Sequence, residues 1–328
     1  MQNENKSIKE NKKGLFPYLL LFIAIIAVSF AAPIVSVLQS SEFGYNVPSE
    51  VIAMYRTLFA GAIALIFALS RGEIKWIVEP TTVKRLHWII MSGILLAIHF
   101  ATWFLSLEYV SVAISTTLVD TVPIFMAIFG FVFFKEKINK FGIIGIIFAF
   151  IGGVLLAFAI TDDISQANPV LGIFFALIGA LTVTFYFLIG KKILQDSPLW
   201  PYFGLVNLIS GISLLIYNLI RGYDLFEYTA IAFVFILLMA IGPSLIGHAT
   251  YNYSLRRLPA YFVGTVIVAE PIGATILGIV ILSEIPRPIT VLYMFIILLG
   301  IAIASISQTT SSFKKIKLED KKVTINKK

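Results

Sequence analysis

A chain of 328 residues in which 59% are hydrophobic and only 13% charged cannot bury its apolar surface in a water-soluble core, because soluble domains carry about a quarter charged residues. Lipid must be its solvent. The lack of cysteine excludes disulfides, thiolate metal sites and thiol catalysis, and the formal charge of +7 has beside it no aromatic or recognition pattern suited to nucleic acid.

In chain order, a basic tail (1–14) precedes ten apolar stretches near 15–38, 48–69, 87–107, 111–134, 141–160, 169–190, 198–220, 229–253, 260–283 and 289–308. Each has about the 20 residues needed to cross a hydrocarbon core of roughly 30 Å. The first could be a signal peptide ending near Ala31-Ala32; its long apolar run favours an uncleaved helix. The breaks are short and carry turn signals, among them Arg71-Gly72, Asn168-Pro169, Ser197-Pro198, Arg221-Gly222 and Pro286-Arg287-Pro288. A polar linker, 161–168, separates five spans (15–160) from five more (169–308), and a second basic tail occupies 309–328.

Charge gives the orientation. With the N-terminus inside, 22 Lys and Arg fall in cytoplasmic segments, Arg221 and Arg287 alone fall outside, and Arg56 lies within a span. That asymmetry predicts a multi-pass protein of the cell membrane with both termini cytoplasmic, its lysine tail against anionic headgroups.

The chain also repeats itself. At an offset of 148, residues 101–136 meet 249–284 with eleven identities: Ala101, Thr102, Ser106, Leu107, Thr117, Pro123, Ile124, Ile128, Gly130, Val132 and Glu136. At an offset of 150, Pro48, Leu58, Gly61 and Leu65 meet Pro198, Leu208, Gly211 and Leu215. Five crossings per half reverse the second copy, the inverted duplication from which many secondary transporters build two gates around one site.

Ser111-Val112-Ala113 through Pro123 to Glu136, Ala269-Glu270-Pro271 ending at Leu282-Ser283-Glu284, and the following Gly142, Gly145, Gly152 and Gly153 resemble the two EamA repeats of the drug/metabolite transporter superfamily. The likeness spans about 15–308. It implies an all-α integral membrane fold of ten transmembrane helices as two inverted five-helix repeats, and a central cavity lined mainly by helices 1, 3, 4, 6, 8 and 9. It also implies transport of amino acids, other metabolites or toxic cations. Ser29-Phe30 and Thr184-Phe185 stand where the family often has Trp-Gly.

Ionisable residues inside a span are expensive and mark function. Arg56, Asp120 and His99 lie roughly 12, 13 and 10 Å from one face, and Glu270 roughly 15 Å deep beside Pro271. Arg56 suits a substrate carboxylate; Asp120 suits an amine or a coupling proton. The competing reading is an Arg56–Asp120 ion pair fixing the second helix against the fourth. Glu270 suits a cation site or proton relay, or a hydrogen bond within the turn that Pro271 weakens. Repeat two has Val206 and Val268 opposite Arg56 and Asp120, and repeat one has Val122 opposite Glu270, so these charges break the symmetry.

His99, Trp103 and Ser106 share a helical face, as do His248, Tyr251, Asn252 and Ser254. Trp103 and Tyr251 are symmetry mates expected to flank the substrate through cation–π contact, although interfacial rings also serve as anchors. Asn252 helps shape the pocket. His248, nearer the cytoplasmic mouth, reads as a gate residue. Glu136 and Glu284 read as helix caps or loop ion pairs. Three scattered histidines without cysteine offer no nucleophile–base pair or metal cluster, and no phosphate-binding loop occurs; no enzyme activity, metal or cofactor is expected.

The function these features predict is a permease that exports or exchanges a small amino or organic metabolite by alternating access. Multidrug or toxic-cation efflux and, further off, a passive channel are the alternatives. The expected partners are the substrate, membrane lipid and a coupling proton.

Overall fold

The computed structural model describes residues 19–134, 140–161, 168–256, 258, 260–267, 269–300, 302, 303 and 306, and all regular structure among them is helical. The helices are α1 (Leu19–Gln39), α2 (Ser49–Ser70), α3 (Leu86–Ser106) and α4, in two pieces, Val112–Val119 and Val122–Phe134. After α5 (Lys140–Thr161) come α6 (Pro169–Ile193), α7 (Leu199–Arg221) and α8 (Ala230–Leu255). The last are α9, again in two pieces, Ala260–Ile267 and Glu270–Leu282, and α10 (Pro288–Gly300). Seven of these segments are long and apolar enough to cross a membrane, and shorter apolar helices occur in α5, α9 and α10.

Only helices and closed barrels satisfy backbone polar groups in lipid, and this sequence adds a second economy. Thr57, Thr116, Thr117, Thr182 and Thr184 turn their hydroxyls onto carbonyls one turn back, at 2.7–2.8 Å, so each polar side chain is satisfied within its own helix. Large apolar residues face outward on most helices, among them Ile66, Phe133, Phe148, Phe174, Ile216, Val234, Ile276 and Phe295. Such a continuous exposed belt suits acyl chains.

The two halves touch reciprocally. α2 packs along α7, where a Cβ on Gly61 would come within 2.9 Å of Leu208 and one on Gly211 within 2.6 Å of Leu58. Since Leu58 and Gly61 are the mates of Leu208 and Gly211, the contact is made twice, as a two-fold relation requires. Gly72 and Gly222, two residues and one residue beyond the ends of these helices, both adopt positive φ, 69° and 68°. The first piece of α4 packs on the second piece of α9, and the second piece of α4 on the first of α9. α3 lies along α6, and Gly247 of α8 abuts Val28 of α1.

The helix starts and ends alternate, so Arg85, Lys191, Lys192 and Arg256 gather at one end of the bundle, while Gln39, Ser49, Ser106, Val112 and Leu282 gather at the other. Residues 1–14, 309–328 and Glu136, and most of the linker, lie outside the described residues.

Candidate functional site

α4 and α9 break at equivalent positions. The first piece of α4 ends at Val119 and the second starts at Val122, as the first piece of α9 ends at Ile267 and the second starts at Glu270, an offset of 148. Each break precedes a proline, Pro123 and Pro271, whose missing N–H leaves the carbonyls of Val119 and Ile267 without a helical donor. The two carboxylates occupy these breaks: Asp120 closes the first piece of α4 and Glu270 opens the second piece of α9. They are 4% and 6% exposed, and each lies within reach of the other's charge.

Between the breaks lies a small buried cavity of about 20 Å³, lined by His99, Trp103, Asp120, His248, Tyr251 and Glu270 with apolar side chains that include Phe187. The structure therefore brings together five of the residues predicted from sequence: His99, Trp103, Asp120, Tyr251 and Glu270. The Nδ1 of His99 sits 2.9 Å from the carbonyl of Gly179, so it is the donor there and Nε2 is left as an acceptor. The His99 ring stacks on Trp103, centroids 5.5 Å apart. Asp120 Oδ2, Trp103 Nε1 and the Tyr251 hydroxyl are buried without hydrogen-bond partners among the described residues.

Arg56 lies beside the cavity instead of on its wall. It is fully buried; Nε donates to Ser244 Oγ at 2.8 Å, and the guanidinium lies 4.2 Å above the Phe100 ring, a cation–π contact. Both terminal nitrogens lack hydrogen-bond partners among the described residues. The Arg56–Asp120 ion pair considered from sequence is not formed: a serine hydroxyl and an aromatic face hold the arginine, and the carboxylate whose charge it feels is Glu270.

Asn252 also stands off the cavity. Its Nδ2 donates to the Tyr186 hydroxyl at 2.5 Å and to the His248 carbonyl at 2.9 Å, within a buried polar layer nearer the basic end of the bundle. Ser92 and Tyr202 hydroxyls meet there at 2.9 Å. Ser106 binds Ser115 at 2.6 Å and contributes to packing. Glu284 accepts the Val112 N–H at 2.9 Å, the helix-capping role expected of it.

His248 was placed at the mouth by sequence, yet it lines the cavity, 6.1 Å from His99 and stacked on Phe187 at 5.9 Å. The reason is local. Ala240–His248 is π-helical, and its i→i+5 bonding rotates every later side chain relative to an α-helix. Ser244, the Arg56 partner, sits in the same stretch. The sequence holds two signs of this: Gly242-Pro243, and Phe100 as the mate of His248, which breaks the symmetry as the charged residues do.

A helical bundle with a lipid-facing exterior, two mid-span helix breaks and unpaired charges at the breaks has the build of a membrane transport protein. The sequence profile of the EamA-like transporter family matches residues 15–158 and again 170–306, and the chain belongs to that family. It is 25% identical over 301 residues to an uncharacterized transporter of Clostridium kluyveri, covering 90% of this chain and 96% of that one. It is likewise 25% identical over 260 residues to the uncharacterized transporter YxxF of Bacillus subtilis, 79% and 81% of the two chains. A solved structure described as "Crystal structure of protein" shares the fold, with a TM-score of 0.66 over 88% of this chain and 97% of that one at 19% identity.

Proposed function

We propose that this protein is a secondary carrier of ten spans, in two inverted repeats with both termini cytoplasmic, that exports or exchanges a small amino-acid-like metabolite by alternating access. The observation that supports it most is the set of buried polar groups around the helix breaks that lack partners among the described residues: the Arg56 terminal nitrogens on one side and Asp120 Oδ2 on the other, with Glu270 between their fields. A zwitterion matches that polarity, its carboxylate toward Arg56 and its ammonium toward Asp120 and Glu270. Trp103 and Tyr251 supply flanking π-faces and unsatisfied donors.

Size supports a carrier over a channel. A cavity of about 20 Å³ holds one water, whereas ligand sites run to about 300 Å³ and above. Substrate therefore enters only when the helices part, and the same closure prevents a continuous pore. In this reading Asp120 and Glu270 also carry the coupling proton.

The test is counterflow in proteoliposomes with a panel of amino acids, aromatic cations and sugar phosphates, with and without a pH gradient. Saturable counterflow of an amino compound is expected, and its proton dependence should be lost in Asp120→Asn and Glu270→Gln. Full proton-dependent transport by both variants would refute the coupling assignment; flux that never saturates would favour a channel.

A further inference from the structure

Four of the 13 prolines stand inside spans, one each in α1, α4, α8 and α9: Pro33, Pro123, Pro243 and Pro271. Each lies at an irregularity. α1 turns at Phe30, α4 and α9 break just before their prolines, and α8 is π-helical from Ala240 to His248. A proline inside a helix removes a ladder hydrogen bond and softens the helix at that level. The repeat does not impose all four bends. Pro123 and Pro271 are mates, whereas Leu188 of α6 and Leu95 of α3 stand where Pro33 and Pro243 would recur.

α2, α3, α6 and α7, by contrast, run unbroken. They make a framework, α7 packing on α2 and α3, and α3 on α6. Glycines interlock it: a Cβ on Gly93 would come within 2.6 Å of Ile209, and one on Gly204 within 2.6 Å of Leu65. Backbones this close do not slide past one another.

Beyond the bends, toward the end of the bundle opposite the basic loops, lie residues 31–39 of α1, 112–119 of α4, 230–239 of α8 and 270–282 of α9. These pieces join. The α9 piece packs on those of α1 and α4, and the α1 piece on those of α4 and α8. Glu284, just past α9, accepts the Val112 N–H at 2.9 Å, and a Cβ on Gly278 would lie 3.5 Å from Val112. The pieces also rest on the framework, α4 on α6 and α8 on α2. At α2 the contact is through side chains: Phe233 meets the Tyr55 ring edge-on at 5.1 Å. Ser36, Gln39, Leu282 and Glu284 give these pieces one wall of a cavity of about 820 Å³ that faces Glu50 at the start of α2, the vestibule.

We propose that the four pieces form a single gate, which swings at the four prolines against the framework and closes the vestibule. Arg56 of the framework is bonded to Ser244 inside the π-helical bend, so a carboxylate that draws on the arginine acts on the hinge directly. Use of the gate in alternating access rests on the carrier reading above; the swing itself does not.

The chain has no cysteine, so two engineered cysteines carry its only spin labels. Double electron–electron resonance in nanodiscs is read for three pairs at exposed positions. Ile220→Cys with Val280→Cys spans framework and gate, Ile231→Cys with Val280→Cys lies within the gate, and Val170→Cys with Ile220→Cys within the framework. The first pair should show two distances, in a ratio that Tyr186→Phe changes about two- to tenfold by removing a hydrogen bond at the opposite end. The other pairs should each show one. Pro33→Ala with Pro243→Ala should reduce the first pair to one distance. Should that variant not fold, Gly242→Ala adds a Cβ with nothing within 4 Å, stiffens the same bend, and should lower the minor population. Two distances within the gate would mean that its pieces move separately, one distance across the first pair would mean no swing, and two distances undiminished in the stiffened variants would take the hinge off the prolines. Each of these overturns the proposal. Two distances in a protein that shows no counterflow would remove the carrier reading and leave the gate.

Discussion

At the scale of the residue, a buried arginine costs about 2.5–3.5 kcal/mol at mid-span on the translocon scale, and Arg56 recovers part of that through one hydrogen bond to Ser244 and the faces of Phe100 and Phe104. A residue kept for stability would have its ionic partner in place, as Arg85 does with Asp196 at 2.6 and 2.8 Å. Arg56→Met tests the difference, because it keeps the apolar stem and removes the charge. Thermal stability should be unchanged or raised, while apparent affinity for a carboxylate-bearing substrate falls at least tenfold, the loss of one charge-assisted hydrogen bond of about 1.5–3 kcal/mol. Loss of stability with affinity intact would make Arg56 a packing residue.

At the scale of the element, the repeat was legible because identities such as Pro123/Pro271 and Leu58/Leu208 survive where helix breaks and close contacts forbid drift. Gly61→Ala and Gly211→Ala should each cost about 1–3 kcal/mol by overpacking. Leu58→Ala should be tolerated better with Gly211→Ala than alone, and Leu208→Ala better with Gly61→Ala, whereas the crossed combinations should simply add. Chemical denaturation of the four double variants measures this directly, and additivity in the matched pairs would contradict the reciprocal packing. Five cavity residues were also legible, because hydrocarbon makes each buried polar group conspicuous. The rest was not. A π-helical stretch leaves little more than Gly242-Pro243 in the sequence, so the place of His248 on the cavity wall and the contact of Ser244 with Arg56 could not be read by counting α-helical turns.

At the scale of the molecule, the two ends of the bundle differ in a way that bears on the transport cycle. One end holds the 820 Å³ vestibule. The other is tied by three polar contacts: Arg85 with Asp196, between the segments that lead into α3 and α7, Ser92 with Tyr202, between α3 and α7, and Asn252 with Tyr186, between α8 and α6. Hydrogen bonding to Arg85 holds the Asp196 carboxyl below the usual carboxylate range, so the first tie stays charged at neutral pH, although its exposure limits it to under about 1 kcal/mol. The buried pairs Ser92–Tyr202 and Asn252–Tyr186 hold the end more firmly, and a carrier that alternates must break them when that end opens. Removing one such neutral hydrogen bond, worth about 0.5–1.5 kcal/mol, shifts a two-state equilibrium about two- to tenfold. The chain has no cysteine of its own, so an engineered Ser254→Cys, buried in the same region, is its sole thiol. Tyr186→Phe should raise the labelling rate of that cysteine by a hydrophilic maleimide by this factor, and should lower the labelling of Asn46→Cys in the vestibule as the opposite end closes. A rise at the first position without a fall at the second would mean that the ends open independently, and the two repeats would then not share a single rocking motion.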